Sequence, residues 1–383
     1  MDKEGSLINR KVNRRSLLKK GAMIAGTAAV GATSLVTGKR AFGQVSATSL
    51  TGGDIAILRF LAAAEIIESD LWTQYAELGG IGDNPPIEID PTQQLNNYQI
   101  ALSNLDPDGP QYIASNTLDE ISHATFLNAY LQSKGEDPVN LDEFRTLQGS
   151  QATGAQDIGR LTNLMQLNVD TSWYVRYRSS TNPEFGATFP QALTFTNVTA
   201  IPRDNNDFNG ASNPNFRGND HIQAIANVAA FHFGMIEQGG SSLYATLSQK
   251  VSSLEVLKIT LGIGGDEIAH FLEWVDFSGN GVQTPVAPFT DAVSGLSFPN
   301  FFTNPPLQAN LVQPSLIFPV PCEFINPDLP HCSVIRPSAD RFSGARAAVA
   351  ALTADGLFTG QSTKFFQTLR QLADEADAAT RQL

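Results

Sequence analysis

Cysteine is nearly absent: the 383-residue chain has two, Cys322 and Cys332. They stand ten apart in a Pro-rich stretch with only His331 beside them, a poor ligand set for structural zinc. In an oxidising compartment they can instead close a short loop as a disulfide. Histidine is scarce too, at five residues, so a pattern that uses several of them carries weight. Charged residues make up only 16% of the chain, while Asn, Gln, Ser, Thr, Gly and Pro are plentiful. The surface is therefore expected to be polar rather than ionic, which suits an exported protein. Long apolar runs are missing as well. No segment beyond the first forty residues approaches the roughly 20 strongly apolar residues that a membrane span needs. What the chain does have is a hydrophobic fraction of 42%, enough for a substantial core and unlike a disordered chain.

The first forty residues differ from the rest. Asn13-Arg14-Arg15-Ser16-Leu17-Leu18-Lys19 precedes a weakly apolar, Gly/Ala-rich run from Gly21 to Gly38, followed by Lys39-Arg40-Ala41-Phe42-Gly43. Paired arginines, a basic flank, a mild apolar stretch and a small-residue cleavage region resemble a twin-arginine signal peptide. The alternative, a single membrane anchor, asks for a longer and more apolar run than this. Residues 1–44 are accordingly read as a signal that exports the folded protein to the periplasm or beyond. The remaining chain holds 16 Lys and Arg against 36 Asp and Glu, a formal charge of −20. Nucleic acid is excluded as a partner for so acidic a surface.

Four segments of helical length follow. Asp54, after Gly52-Gly53, is placed to cap an apolar-periodic run that Gly79-Gly80 ends. A second run spans Gln111 to Lys134, between Pro110 and Gly135, and a third spans Asp220 to about Lys250. Ser252 and Glu255 have capping-box spacing at the start of a fourth, which reaches Phe277. Between the second and third lie about eighty-five residues rich in Asn, Thr, Gly and Pro. Within them Leu161–Arg178 reads as helical and Ala192–Ile201 as a short strand. Beyond Gln283 a Pro/Phe-rich stretch leads to two further helical patterns, Ala339–Ala354 and Ser362–Gln382. The expected division is therefore a signal (1–44), a helical bundle (45–285), and a Pro-rich extension with C-terminal helices packed on it (286–383).

The chemistry is carried by a repeat. Asp119-Glu120-Ile121-Ser122-His123 lies in the second run and Asp266-Glu267-Ile268-Ala269-His270 in the fourth. Positions i and i+3 share a helix face, so Glu120 with His123, and Glu267 with His270, each aim a carboxylate and an imidazole at one point. A lone pair of this kind is usually just a solvated polar pair. Two copies, each flanked by apolar residues in a chain with five histidines, point to a buried site that a cation would neutralise. The third run offers Glu237, in a nearly apolar context. The first offers Glu65 or Glu68: seven-residue spacing to Tyr75 matches Glu237 to Tyr244 and favours Glu68. Asp119 and Asp266 could hold the histidines from outside or simply be solvated charges.

Helix order, a long crossover and the series Glu, Glu-x-x-His, Glu, Glu-x-x-His resemble the ferritin-like superfamily. The run Asp54-Ile55-Ala56-Ile57-Leu58-Arg59-Phe60 to Glu65-Ile66-Ile67-Glu68 is similar to the ferritin-like domain family that includes desiccation-related proteins, whose first helical Glu falls on Glu65. The resemblance covers about residues 54–280, with Trp72 where a Tyr is usual. It implies an all-α, ferritin-like four-helix bundle with a long crossover between its second and third helices. It also implies two metal ions, and carboxylates with neutral imidazole suit iron or manganese. The expected partner is a small oxidant, oxygen or peroxide. A stress-protective metal-binding protein without catalysis is the alternative, and mineral storage is disfavoured by the chain's bulky additions.

Overall fold

Thr51 opens the first helix. Its hydroxyl accepts from the Asp54 amide while the Asp54 carboxylate accepts from the Thr51 amide, a reciprocal cap that starts α1, Gly52–Gly79. Asp54 thus stands three residues inside the start rather than at the cap expected of it. In this computed structural model the described residues are 50–81, 94–171, 193–210, 212–301, 325–326, 328–332 and 344–382. The signal segment with Arg14 and Arg15, and Cys322 of the expected disulfide, lie outside them.

Six further helices follow among the described residues. The sequence reading did not anticipate α2, Asn97–Leu105, which Asn96 and Gln99 cap reciprocally. Pro110 sits in the first turn of α3, Gly109–Ser133, where its missing amide costs nothing. Asn219 caps α4, Asp220–Ser248, a helix so rich in Ala, Gly and Ser that neighbours close over nearly its whole surface. Ser253, not Ser252, caps α5, Leu254–Asn280, accepting from the Glu255 amide. The Ser252 and Ser253 amides turn instead to Asp54 Oδ1, at 2.8 and 3.3 Å. C-terminal α6, Ala345–Ala354, and α7, Thr363–Asp377, complete the set, with α7 packed on α1 and α6 on α7.

Cross-helix contacts give the directions of the four long helices. Arg59 meets Glu136 and the Trp72 carbonyl meets Thr117, so α1 and α3 are antiparallel. Ser248 with Thr260 and Ala230 with Ser278 make α4 and α5 antiparallel. Tyr75 with His232 and Tyr244 with Glu65 do the same for α1 and α4. Trp274 with Asn116 and Tyr130 with Glu255 do so for α3 and α5. The four therefore enclose one shared interior, and the chain is mostly helical.

Strands are minor. β1, Leu147–Gln148, pairs with β2, Gly159–Arg160. β3, Leu167–Asp170, pairs antiparallel with β4, Thr194–Val198. The described part of 161–178 is thus extended rather than helical. Leu167 and Val169 are buried while Asn168 and Asp170 are exposed, a period of two that only a strand satisfies. The strand expected at 192–201 is β4. A last hairpin, β5 (Phe289–Thr290) with β6 (Ser297–Phe298), lies in the stretch after α5. Ser49–Leu383 clusters as one compact unit. No helix among the described residues is long and apolar enough to cross a membrane.

Candidate metal centre

Glu65, Glu120, Glu237 and Glu267 stand near the middle of α1, α3, α4 and α5, and each is at most 1% exposed. Two overlapping groups of ligand-capable side chains result: Glu65, Glu120, His123 and Glu267, and Glu120, Glu237, Glu267 and His270. Within each, one donor atom per residue lies within 4.8 Å of all the others. Glu120 and Glu267 belong to both. The two oxygens of Glu120 face the two rings, Oε2 at 3.3 Å from His123 Nδ1 and Oε1 at 3.2 Å from His270 Nδ1. Glu65 Oε2 lies 3.4 Å from His123 Nδ1, and Glu237 Oε2 lies 3.3 Å from His270 Nδ1. The i, i+3 repeat thus turns both imidazoles inward as its spacing anticipates.

A cation fits this donor set. Glu65 Oε2, Glu237 Oε2, both Glu267 oxygens and His270 Nδ1 are buried without a hydrogen-bond partner. Orphaned atoms of this kind are rare in native interiors, and here five converge on one place. Burial pushes Glu120 up to about 7, with Glu237 and Glu65 adding repulsion against the opposing pull of the two imidazoles. Burial and the surrounding carboxylates raise Glu267 and Glu68 well above the usual range. Burial opposes charge on His123, yet its bonds to Asp266, Glu120 and Glu65 push it up to about 12. Burial also opposes charge on His270, and Glu237, Asp119 and Glu120 raise it far above the ordinary value. The cluster therefore draws in positive charge, as protons where no cation supplies it.

Groups around the cluster hold it in shape. His123 Nε2 meets Asp266 at 3.2 Å and His270 Nε2 meets Asp119 at 3.3 Å, so each aspartate holds the ring of the opposite helix. A carboxylate only accepts, so these bonds place a proton on Nε2 and leave Nδ1 facing the glutamates. Trp274 Nε1 donates to Asn116 Oδ1 at 2.6 Å, and Asn116 Nδ2 donates to Glu120 Oε1 at 2.9 Å and Glu237 Oε1 at 3.3 Å. Tyr244 donates to Glu65 Oε1. One to two turns away Trp72, Phe233 and Trp274 pack together, with ring centroids 4.6 to 5.3 Å apart. Gly240 makes room for the site, since a Cβ there would lie 2.0 Å from Glu267 Oε2.

Six of the seven expected ligands thus come together, and Glu68 does not join either group. It is buried one turn from Glu65, close enough to feel Glu120, Glu65 and Glu237. The seven-residue spacing that favoured it is not matched by like roles, since Tyr75 bonds His232 while Tyr244 bonds Glu65, whose other oxygen faces His123. Asn116 was missed, although an Asn four residues before Glu120 on a buried face was the available signal. His221 is locked between Asp291 at 2.8 Å and Asp207 at 3.1 Å, away from the cluster. His232 meets Tyr75 through Nδ1, but its Nε2 has no partner, so it is less satisfied than expected. His331 is exposed. Comparison with protein-family models, curated proteins and solved structures gives no match, so these assignments stand on geometry and chemistry alone.

Proposed function

We propose that this chain is an exported ferritin-like protein in which Glu65, Glu120, His123, Glu237, Glu267 and His270 hold two iron or manganese ions. The carrying observation is the convergence of five buried, unpartnered donor atoms from α1, α4 and α5 around the shared carboxylate Glu120. Once bound, such ions supply redox chemistry toward oxygen or peroxide. The chain's residues prepare for it. Asp119 and Asp266 fix the imidazole protons on Nε2, Asn116 orients Glu120 and Glu237, and the Trp72, Phe233 and Trp274 layer keeps water from that side. Glu120 and Glu267, common to both groups, are the carboxylates suited to joining two ions. Glu68 stands next to the set as a further carboxyl able to hold a proton.

A second reading has its own support: the cluster draws on all four long helices, so bound metal would brace the molecule even without turnover. Export through the twin-arginine route, which carries folded proteins, fits either reading because metal can be loaded beforehand. Elemental analysis after reconstitution with ferrous iron or manganese should find close to two ions per chain. None bound would sink both readings, whereas two bound without oxygen or peroxide consumption would leave only the bracing role.

A further inference from the structure

A cavity of about 770 Å³ lies beside the cluster, between α1, α4 and α6. Its wall is mainly apolar, from Ala64 and Ile67 of α1, Met235 and Leu243 of α4, and Ala351 and Leu352 of α6. That volume is within the range of small-molecule sites, roughly 300–1,000 Å³. Two wall residues connect it to the carboxylates: Glu68, and Gly240, whose missing side chain admits Glu267. The neighbouring Gly239 has the opposite surroundings. It lines the cavity where the wall is exposed, and a Cβ on it would meet nothing within 4 Å, so a side chain has room to enter there.

The wall also carries polar information. Asp355 lines the cavity, is 2% exposed, and its Oδ1 accepts from the Leu357 amide while Oδ2 has no partner. Burial raises this carboxyl well above its usual value, so it can donate as well as accept. Among the described residues, Glu68 and Asp170 are the other acids on the wall, and its one cation, Arg346, is bonded to Asp374. An anionic ligand would bring its charge against a mainly apolar wall, whereas a neutral one with a single hydroxyl or amine could satisfy the unpartnered Asp355 oxygen.

We infer that this cavity binds a neutral, apolar organic molecule carrying one hydrogen-bonding head group, and presents it to the carboxylate cluster. The assignment rests on the metal reading for what becomes of the ligand, but not for its binding. N-phenyl-1-naphthylamine, a neutral fluorescent probe, should bind the metal-free and metal-loaded protein at one per chain. 1-Decanol should displace it at a concentration at least tenfold below that of decanoate, which differs only in its charged head. Gly239→Phe, filling the cavity from α4, and Ala351→Phe, filling it from α6, should each weaken probe binding at least tenfold with melting temperature and metal content unchanged. Ala351 lies on a helix that contributes no carboxylate to the cluster, so its variant reads the cavity even if the α4 variant disturbs Glu237. Probe that fails to saturate at one per chain, or that binds both variants as it binds the parent, overturns the pocket. Decanoate displacing as well as decanol overturns the neutral ligand. Metal content, measured separately on the same samples, tells a failed cavity from a failed metal centre.

Discussion

Asn116 shows how much a single amide controls. It accepts a hydrogen bond from the Trp274 indole and donates two, to Glu120 and Glu237, tying three helices to one carboxylate pair. Replacing it with Ala leaves the Trp274 indole and two carboxylate oxygens unpaired. Loss of such an outer partner typically costs about 10–100-fold in metal affinity, so Asn116→Ala should lose metal to a chelator at correspondingly lower chelator concentration. An unchanged titration would show that Asn116 only fills space. The histidines divide more sharply. His123→Ala and His270→Ala each remove an inward nitrogen and should abolish stoichiometric metal, while His221→Ala and His331→Ala should retain it. Normal metal in both of the first two variants would make the repeated motif structural. Glu120, His123, Glu267 and His270 were legible in the sequence because their relation is local, three residues along one helix face. That Glu65 rather than Glu68 joins the cluster was not, because its partner Tyr244 is 179 residues away. Asn116 stayed hidden for the same reason, since Trp274 is 158 residues away.

Among the elements, the four long helices were readable to within a few residues at each end, from caps and breakers in their own segments. The Asn96 and Gln99 cap of α2 is a local signal that was present and passed over, because the helix is only nine residues long. The shift from Ser252 to Ser253 at α5 has a remote cause: Asp54, on α1, captures both amides there. Asp54 in this way caps two helices at once, accepting also from the Thr51 amide and hydroxyl. Asp54→Ala should therefore cost more than an ordinary cap residue, on the order of 2–3 kcal/mol against about 1 for Thr51→Ala. Urea midpoints at constant slope would measure the difference. Equal losses for the two variants would mean that the α5 amides find water instead. β3 was misread as helix because Leu161, Leu164 and Leu167 also fit a helical stripe. Only pairing with β4, across a long connection, selects the extended form.

For the whole molecule, stability should depend on metal and on acid for separate physical reasons. In the proposed centre, removing metal would leave the carboxylates of four helices facing one another. Binding to the native state alone stabilises it by about 4 kcal/mol when free metal is a thousandfold above its Kd, so chelation should lower the melting temperature. Equal melting with and without chelator would count against a metal that braces the fold. Acid acts through His232. Complete burial lowers its pKa to about 3, far below an ordinary imidazole. Between pH 6.5 and 3 the unfolded chain takes up a proton that the folded chain refuses, so this group's penalty grows as pH falls and is absent above pH 7. His221 has the opposite sign: its bond to Asp207 raises its pKa, so its contribution is complete below about 6.5 and is lost only as pH climbs through that raised value. Asp207 and Asp291 are held below the usual carboxylate range by hydrogen bonds that outweigh burial, so their contributions persist until pH falls below about 4. His232→Asn keeps a polar group near the Tyr75 hydroxyl, 2.7 Å from Nδ1 in the parent, and cannot titrate. From pH 7 to 4 the parent should lose about 3 kcal/mol more than this variant, a difference in which the carboxylate cluster, common to both, cancels. Urea unfolding of metal-free protein at each pH gives the two profiles. Parallel profiles would mean that the buried ring accepts its proton inside the folded protein, and that the interior around Tyr75 is wetter than its packing implies.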